Sequence, residues 1–319
     1  MSFLSYPDAR ALLEGVLSRR AFTAEERRAC IDEILDAEWR ARKSHGLAIV
    51  HEVLSWADAK EHDPLVTVDE AAYALVEGGN TPGPLVAEIA MDLALVKARS
   101  TRFAAVAARN ETPFMLAGYH PRRAAKQGFV ALALSVAAAK VAPAGGHMPV
   151  FGTNPIGAAF PVSGGTPIVV DMAVTQIAAA EVRRLAGVSG TLPPDVAIDR
   201  AGRPTTDPSV ALQGAMLPFG GYKGSNVALI VELLAGALAG AKVGSSHPGT
   251  RAMLFVVIDP DIFGFGQSFA ESAASLIRDM RASGHEVHVP GEAEVDFSKP
   301  IEVNKELLDS IRKLGQEAH

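Results

Sequence analysis

The run Val141-Ala-Pro-Ala-Gly-Gly-His-Met-Pro-Val-Phe-Gly-Thr-Asn-Pro155 decides the fold class. Its prolines and paired glycines interrupt helix and strand alike. A doubly wound sheet needs strand–helix alternation through the middle of the chain. Here the middle is loop-rich and stays so to about residue 167, with Gly164-Gly165 near its end. On the N-terminal side, residues 5–40 read as two helices. Thr23 and Glu26 form a capping-box pattern at the start of the second. Residues 46–60 predict a third helix, 64–80 a strand-like stretch, and Pro82-Gly83-Pro84 opens a long helix to about Ser100. Residues 103–109 and 129–136 read as buried strands around a helix at 115–127. On the C-terminal side the pattern predicts a strand at 168–172 and a helix at 175–186. A small-residue-rich helix over 224–241 and a strand at 252–259 come next. A helix at 266–283, a strand at 285–289 and a closing helix at 302–314 complete the order. The mixture predicts an α+β fold.

The bulk numbers agree with a globular enzyme-sized chain. Of 319 residues, 48% are hydrophobic and 21% charged, enough apolar material for a core. A net charge of -6 argues against a general nucleic-acid binder, which usually carries a basic face. The single cysteine, Cys30, has no partner for an internal disulfide or a thiolate metal site, which fits a reducing compartment. The N-terminal stretch lacks a basic start followed by an apolar block, and the longest apolar run, 227–242, is interrupted by Glu232. A soluble, cytoplasmic protein is the expectation, without nucleic-acid or membrane partners.

Three familiar motifs are missing. No G-x-G-x-x-G run follows a strand, since Gly264-Phe-Gly266 lacks the third glycine. The Walker pattern fails because Gly224 follows Lys223, and H-E-x-x-H is absent. The nine histidines show no metal spacing, so no metal site is expected; His285 and His288 read as structural residues of a strand.

Three clusters remain. Ser44-His45-Gly46 offers a histidine able to supply a proton near neutral pH and a hydroxyl able to orient its ring, although alone it reads more often as a turn. Asp171-Met-Ala-Val-Thr-Gln176 places an acid where a strand passes into a helix, either as an ordinary cap or beside free N–H groups for a phosphate. Phe219-Gly-Gly-Tyr-Lys-Gly224 lets the backbone approach a ligand and adds a point charge ahead of a helix.

Taken in order with Pro82–Met91, Gly145-Gly146, Phe151–Pro155, Ala197–Asp199, Gly202–Pro208, Val231–Leu234 and Pro290–Glu292, these clusters resemble the type-2 malate/L-lactate dehydrogenases. This is a nicotinamide-dependent class without a Rossmann fold. Within it the chain is most similar to the Δ1-piperideine-2-carboxylate/Δ1-pyrroline-2-carboxylate reductase and sulfolactate dehydrogenase branch. The resemblance spans roughly residues 40 to 293. It implies a largely antiparallel central sheet flanked by helices, packed N- and C-terminal helices, and a homodimer with the cofactor cleft near its interface. Residues 1–75 with 295–319 would form a helical terminal domain, and 76–294 the cofactor- and substrate-binding core.

By the same resemblance His45 is the proton donor, oriented by Ser44. Asp171, Met172, Ala173, Lys223, Gly224, Gly291, Glu292 and Ala293 hold NADPH or NADH, and Gly152, Thr153 and Asn154 shape the substrate floor. The implied reaction transfers a hydride to C2 of a small imino or 2-oxo acid, a cyclic imino acid first among them. Departures from the family pattern also stand in the chain. Ile49 replaces an arginine suited to a substrate carboxylate, Pro113 replaces a second histidine, and Ala137 a polar residue near the cofactor. Arg102, Arg109, His120 and His147 are candidates to replace the lost groups. The departures keep other readings open: a 2-hydroxy acid dehydrogenase, or a cofactor-binding chain with no redox reaction.

Overall fold

The computed structural model describes residues 2–245, 251–291 and 295–316. Its strands are β1 (Ser2–Leu4), β2 (Leu65–Asp69), β3 (Tyr73–Glu77), β4 (Phe103–Arg109), β5 (Val130–Val136), β6 (Ile156–Phe160), β7 (Ile168–Met172), β8 (Ala197–Ile198), β9 (Ala215–Met216), β10 (Ala252–Ile258) and β11 (Ile301–Val303). Its α-helices are α1 (Tyr6–Leu17), α2 (Ala24–Trp39), α3 (Val50–Trp56), α4 (Gly83–Thr101), α5 (Tyr119–Ala125), α6 (Ala179–Gly187), α7 (Pro208–Ala211), α8 (Tyr222–Val231), α9 (Gly266–Ala282) and α10 (Lys305–Leu314). No helix among the described residues is long and apolar enough to cross a membrane.

The central sheet has seven strands in the order β2-β3-β4-β10-β5-β6-β7. Only β3 and β4 run parallel, joined by the crossover helix α4; every other neighbouring pair is antiparallel. The α+β class and the mainly antiparallel sheet therefore match the expectation. Alternation explains the placement of the strands. In β4, Ala104, Val106 and Ala108 are buried, and with Met253, Phe255 and Val257 of β10 they face the fully buried Ala87, Ala90, Met91 and Ala94 of α4. The residues between them face a smaller core with Val231 and Ala235.

A second core joins the two ends of the chain. Leu13 and Leu17 of α1, Ile31, Ile34 and Leu35 of α2 and Val50 and Val53 of α3 pack with Val303, Leu308 and Ile311. The Thr23 side chain accepts from Glu26 N, and the Glu26 carboxylate accepts from Thr23 N, so the capping box at α2 is complete. β1 pairs antiparallel with β11, a two-stranded clasp the sequence pattern did not signal.

Several expected elements differ. The helix expected over 115–127 is confined to α5, and the 114–118 segment is irregular. The helix expected from residue 175 begins at Ala179, because Val174 and Thr175 pair with Thr153, Pro218 and Phe219 instead. Asp171 is therefore not a helix cap. Helix α8 ends at Val231 and passes into a π-turn over Glu232–Gly236. Residues 285–289 are not a strand: Pro290 O accepts from Val169 N at 3.2 Å, so this segment ends against the open edge of β7 as a loop.

Candidate active site

The Ser44-His45-Gly46 turn is built by a carboxylate. Glu38, on the last turn of α2, is 2% exposed. Its Oε2 accepts from Leu47 N at 2.8 Å and its Oε1 from Lys43 Nζ at 2.5 Å. A Cβ at Gly46 would fall 2.0 Å from Glu38 Oε2 and 3.0 Å from Glu38 Cα, so glycine alone lets the chain cross this carboxylate. His45 N donates to Arg42 O, which closes the turn. The Ser44 hydroxyl lies 2.9 Å from His45 Nδ1, leaving Nε2 as the ring nitrogen free for other chemistry.

The imidazole lines a cleft of about 330 Å³. Ser44, Thr153, Asp171, Met172 and Ala173 line it too, so the structure brings together six of the residues singled out from the sequence. Asp171, near the end of β7, accepts from Gly118 N at 3.0 Å. Burial raises its pKa, partly offset by the Gly118 N–H and by Arg42 and His45. Burial lowers the pKa of His45, Asp171 and Glu52 counter that, and Arg183 and Arg42 add to it. The acid and the imidazole thus share one partly desolvated space, each favouring the charged form of the other.

Gly152 and Asn154 have a supporting place. A Cβ at Gly152 would meet Ala137 O at 2.2 Å. Asn154 is fully buried; its Oδ1 accepts from Ala137 N at 3.1 Å and its Nδ2 donates to Glu232 Oε1 at 2.9 Å. Together they tie the exit of β5 to the π-turn rather than line the cleft. Lys223 is exposed and Gly224 buried at the start of α8, and neither lines the cleft within the single chain. Gly291 adopts φ +81° and abuts Val169. Glu292 and Ala293 lie outside the described residues.

The three departures, Ile49, Pro113 and Ala137, all line the cleft, so the changes fall on its working surface. None of the four substitutes expected from the sequence does. Arg102 is bound to Asp261 at 2.9 Å, Arg109 to Glu77 at 2.7 Å, and His120 is buried 2.7 Å from Glu33. His147 lies beside Gly202. Sequence reasoning missed the cations that do line the cleft: Arg42, Lys140, Arg183 and Arg251. It also missed Glu33, which accepts from Met115 N and His120 Nε2 and so pins the irregular 114–118 wall to α2.

A second cavity, of about 840 Å³, adjoins the first and shares Arg42, Leu116 and Asp171 with it. Arg40, Arg122, His288, Gly291 and Lys299 also line it. Its size is within the range of small-molecule and cofactor sites; Arg40 and Arg122 both pair with Asp36, and Lys299 pairs with Asp296 at 3.5 Å.

The family model for malate/L-lactate dehydrogenase matches residues 4–311. The chain belongs to the malate/L-lactate dehydrogenase family. Several relatives match over nearly the whole length, among them these two. A Δ1-pyrroline-2-carboxylate reductase of Pseudomonas fluorescens is 36% identical over 98% of each chain. A malate/(S)-sulfolactate dehydrogenase of Methanothermus fervidus is 29% identical, over 98% of this chain and 97% of its own. The crystal structure of Δ1-piperideine-2-carboxylate reductase from Pseudomonas syringae pv. tomato superposes with a TM-score of 0.89 at 32% identity, covering 98% of this chain and all of the other. This member of the malate/L-lactate dehydrogenase family is an oxidoreductase, and a nicotinamide cofactor goes with the family.

Proposed function

We propose that the protein reduces a small cyclic imino acid, or the corresponding 2-oxo acid, at C2 with NADPH or NADH. The observation that carries this reading is the convergence of Ser44-His45 and Asp171 in one cleft that opens into a cation-lined cavity. The relatives named for pyrroline- and piperideine-2-carboxylate favour the imine.

The cavity fits the cofactor by size; Arg40, Arg122 and Lys299 would trade their pairing with Asp36 and Asp296 for its phosphates, Gly291 lines the cavity, Met172 and Ala173 line the cleft, and Asp171 lines both. When bound, the nicotinamide supplies the hydride that reaches C2. His45 Nε2 delivers a proton to the imine nitrogen or carbonyl oxygen. Ser44 holds the other ring nitrogen, and Asp171 stabilises the imidazolium before transfer. Thr153, Pro113 and Met115 wall the reacting end and limit water there.

We further infer a homodimer. Leu229, Ile230, Leu233, Leu234 and Leu238 are exposed along α8 and its continuation, an apolar stripe that a second copy would cover. Lys223 and Gly224 open the same helix and would reach a cofactor through that assembly. In this reading residues 1–75 with 295–319 form one lobe, 76–294 the other, and the cleft lies between them. The buried free thiol of Cys30 is in keeping with a cytoplasmic setting.

The test is consumption of NADPH and of NADH, followed by absorbance, with five- and six-membered cyclic imino acids and with 2-oxo acids. Turnover with a ring imine supports the reading. A folded protein that binds cofactor but consumes neither nucleotide across the panel refutes it and leaves the non-redox alternative motivated by Ile49 and Pro113. Oxidation of malate or sulfolactate without imine reduction would favour the 2-hydroxy acid reading, for which the Methanothermus relative speaks.

A further inference from the structure

Glu232 is a carboxylate in an unfavourable place. It opens the π-turn that follows α8 and is 4% exposed, while its neighbours Leu233 and Leu234 are exposed. Its Oε1 accepts from Asn154 Nδ2 at 2.9 Å. Its Oε2 is also buried and has no hydrogen-bond partner among the described residues. A buried carboxylate with an unpaired oxygen weakens a fold, and an apolar side chain of similar size would not. A π-turn is a rare departure from the α-helix, and such turns gather at functional sites. Two local costs thus meet at one residue, and what they secure is Asn154.

Asn154 adopts φ +34°, a region that L side chains rarely occupy, so its side-chain bonds must hold the backbone there. Ala137 N donates to its Oδ1 at 3.1 Å, and its Nδ2 donates to Ala228 O at 3.3 Å and to Glu232 Oε1 at 2.9 Å. The bond to Glu232 is the shortest of the three and the charge-assisted one. Packing leaves little slack, because a Cβ at Gly152 would fall 2.5 Å from Asn154 Oδ1. Asn154 itself does not line the cleft, but Thr153 and Pro155 on either side of it do, and so does Ala137. Main-chain bonds from Val174 N to Thr153 O at 2.9 Å and from Ser135 N to Pro155 O at 3.2 Å tie the same floor to its neighbours. A turn of the Asn154 backbone would therefore carry the floor with it.

We propose that Glu232 is a positioning residue for the substrate floor: through Asn154 it sets where Thr153, Pro155 and Ala137 stand against the reacting ring. This rests on the reading that the cleft takes imino or 2-oxo acids. The experiment compares the full-length protein with Glu232→Leu, Glu232→Asp and Glu232→Gln. Leucine removes the acceptor, aspartate withdraws it by one methylene, and glutamine keeps it while shedding the charge. Two readouts are taken: hydrogen exchange of the Ala137 amide, and kcat/KM for five- and six-membered ring imines. In the leucine and aspartate variants kcat/KM is expected to fall about 10- to 100-fold, and unequally for the two rings, since a misplacement of about 1 Å costs about 100-fold. Ala137 exchange should quicken about 10-fold or more in the same two variants. Glu232→Gln should keep both readouts within about threefold of the unaltered protein, because the bond to Asn154 survives. Unchanged Ala137 exchange in the leucine and aspartate variants overturns the proposal. Faster exchange with kcat/KM unchanged for both rings also overturns it, since the bond is then structural only. A glutamine variant as impaired as the leucine variant does so too, because the charge and not the bond would then matter. Should the leucine variant fail to fold, the aspartate variant decides. Should the unaltered protein reduce no imine, the reductase reading fails by itself; Ala137 exchange and calorimetric binding of furan-2-carboxylate then judge the link.

Discussion

Replacing Gly46 by alanine isolates the device that aims His45. The added Cβ would sit 2.0 Å from Glu38 Oε2, against an ordinary contact of about 3.5 Å. One partner must therefore move by roughly 1.5 Å, given that carbon–oxygen and carbon–carbon contacts are of similar length. Glu38 cannot swing aside freely: both its oxygens are engaged, its side chain is buried, and its own Cα stands 3.0 Å from the new atom. The 43–47 turn gives way instead, and it carries the imidazole. Overpacking of this kind costs about 1–3 kcal/mol of stability. A misplacement of about 1 Å costs about 100-fold in rate. Thermal unfolding and steady-state reduction of a ring imine measure the two effects. A Gly46→Ala protein within 0.5 °C of the unaltered melting temperature and within twofold of its kcat/KM would refute the idea that Glu38 fixes the turn.

Four other outcomes are expected. His45→Phe should lower the reduction rate by about 10²–10⁴-fold without releasing bound cofactor. In the unaltered enzyme, reduction needs the imidazolium, so its rate should fall as pH rises through a His45 pKa below 6.5. Asp171→Asn should move that inflection lower still, as read from pH–rate profiles. Glu33→Ala strips the acceptor from Met115 N and His120, at about 1–3 kcal/mol for each buried group left unmatched, measured by urea unfolding. Glu111 holds its proton to about pH 8 when folded and releases it near 4.5 when unfolded, so stability should fall as pH rises between those values. Glu111→Gln should abolish that fall, a difference on the order of 3–5 kcal/mol at pH 8 in urea titrations.

What could be seen in the sequence was local. The capping box at Thr23 and Glu26 lies within one turn, and the alternating strands β4, β5 and β10 carry their burial pattern in their own residues. The proline- and glycine-broken centre spoke against a doubly wound sheet, and Ser44-His45 marked the proton donor candidate together with the hydroxyl that touches it. Long-range pairings were invisible. Val174 and Thr175 looked helical because nothing nearby shows that Thr153 and Phe219 claim their backbone groups. The alternation in 285–289 reflects a loop with Val289 buried and His288 turned to the cavity, which mimics a half-buried strand. The cleft-lining cations Lys140, Arg183 and Arg251 come from three segments more than forty residues apart, and no spacing rule joins them.

The clasp between β1 and β11 has a consequence for biosynthesis. The core beside the His45 turn is closed by Val303, Leu308 and Ile311, which are made more than 250 residues after the histidine. Until they emerge, the core shared by α1, α2 and α3 is only partly covered, and a chaperone has a target there. The turn that holds His45 thus waits for a segment made far later to complete its core, however early the histidine itself is made.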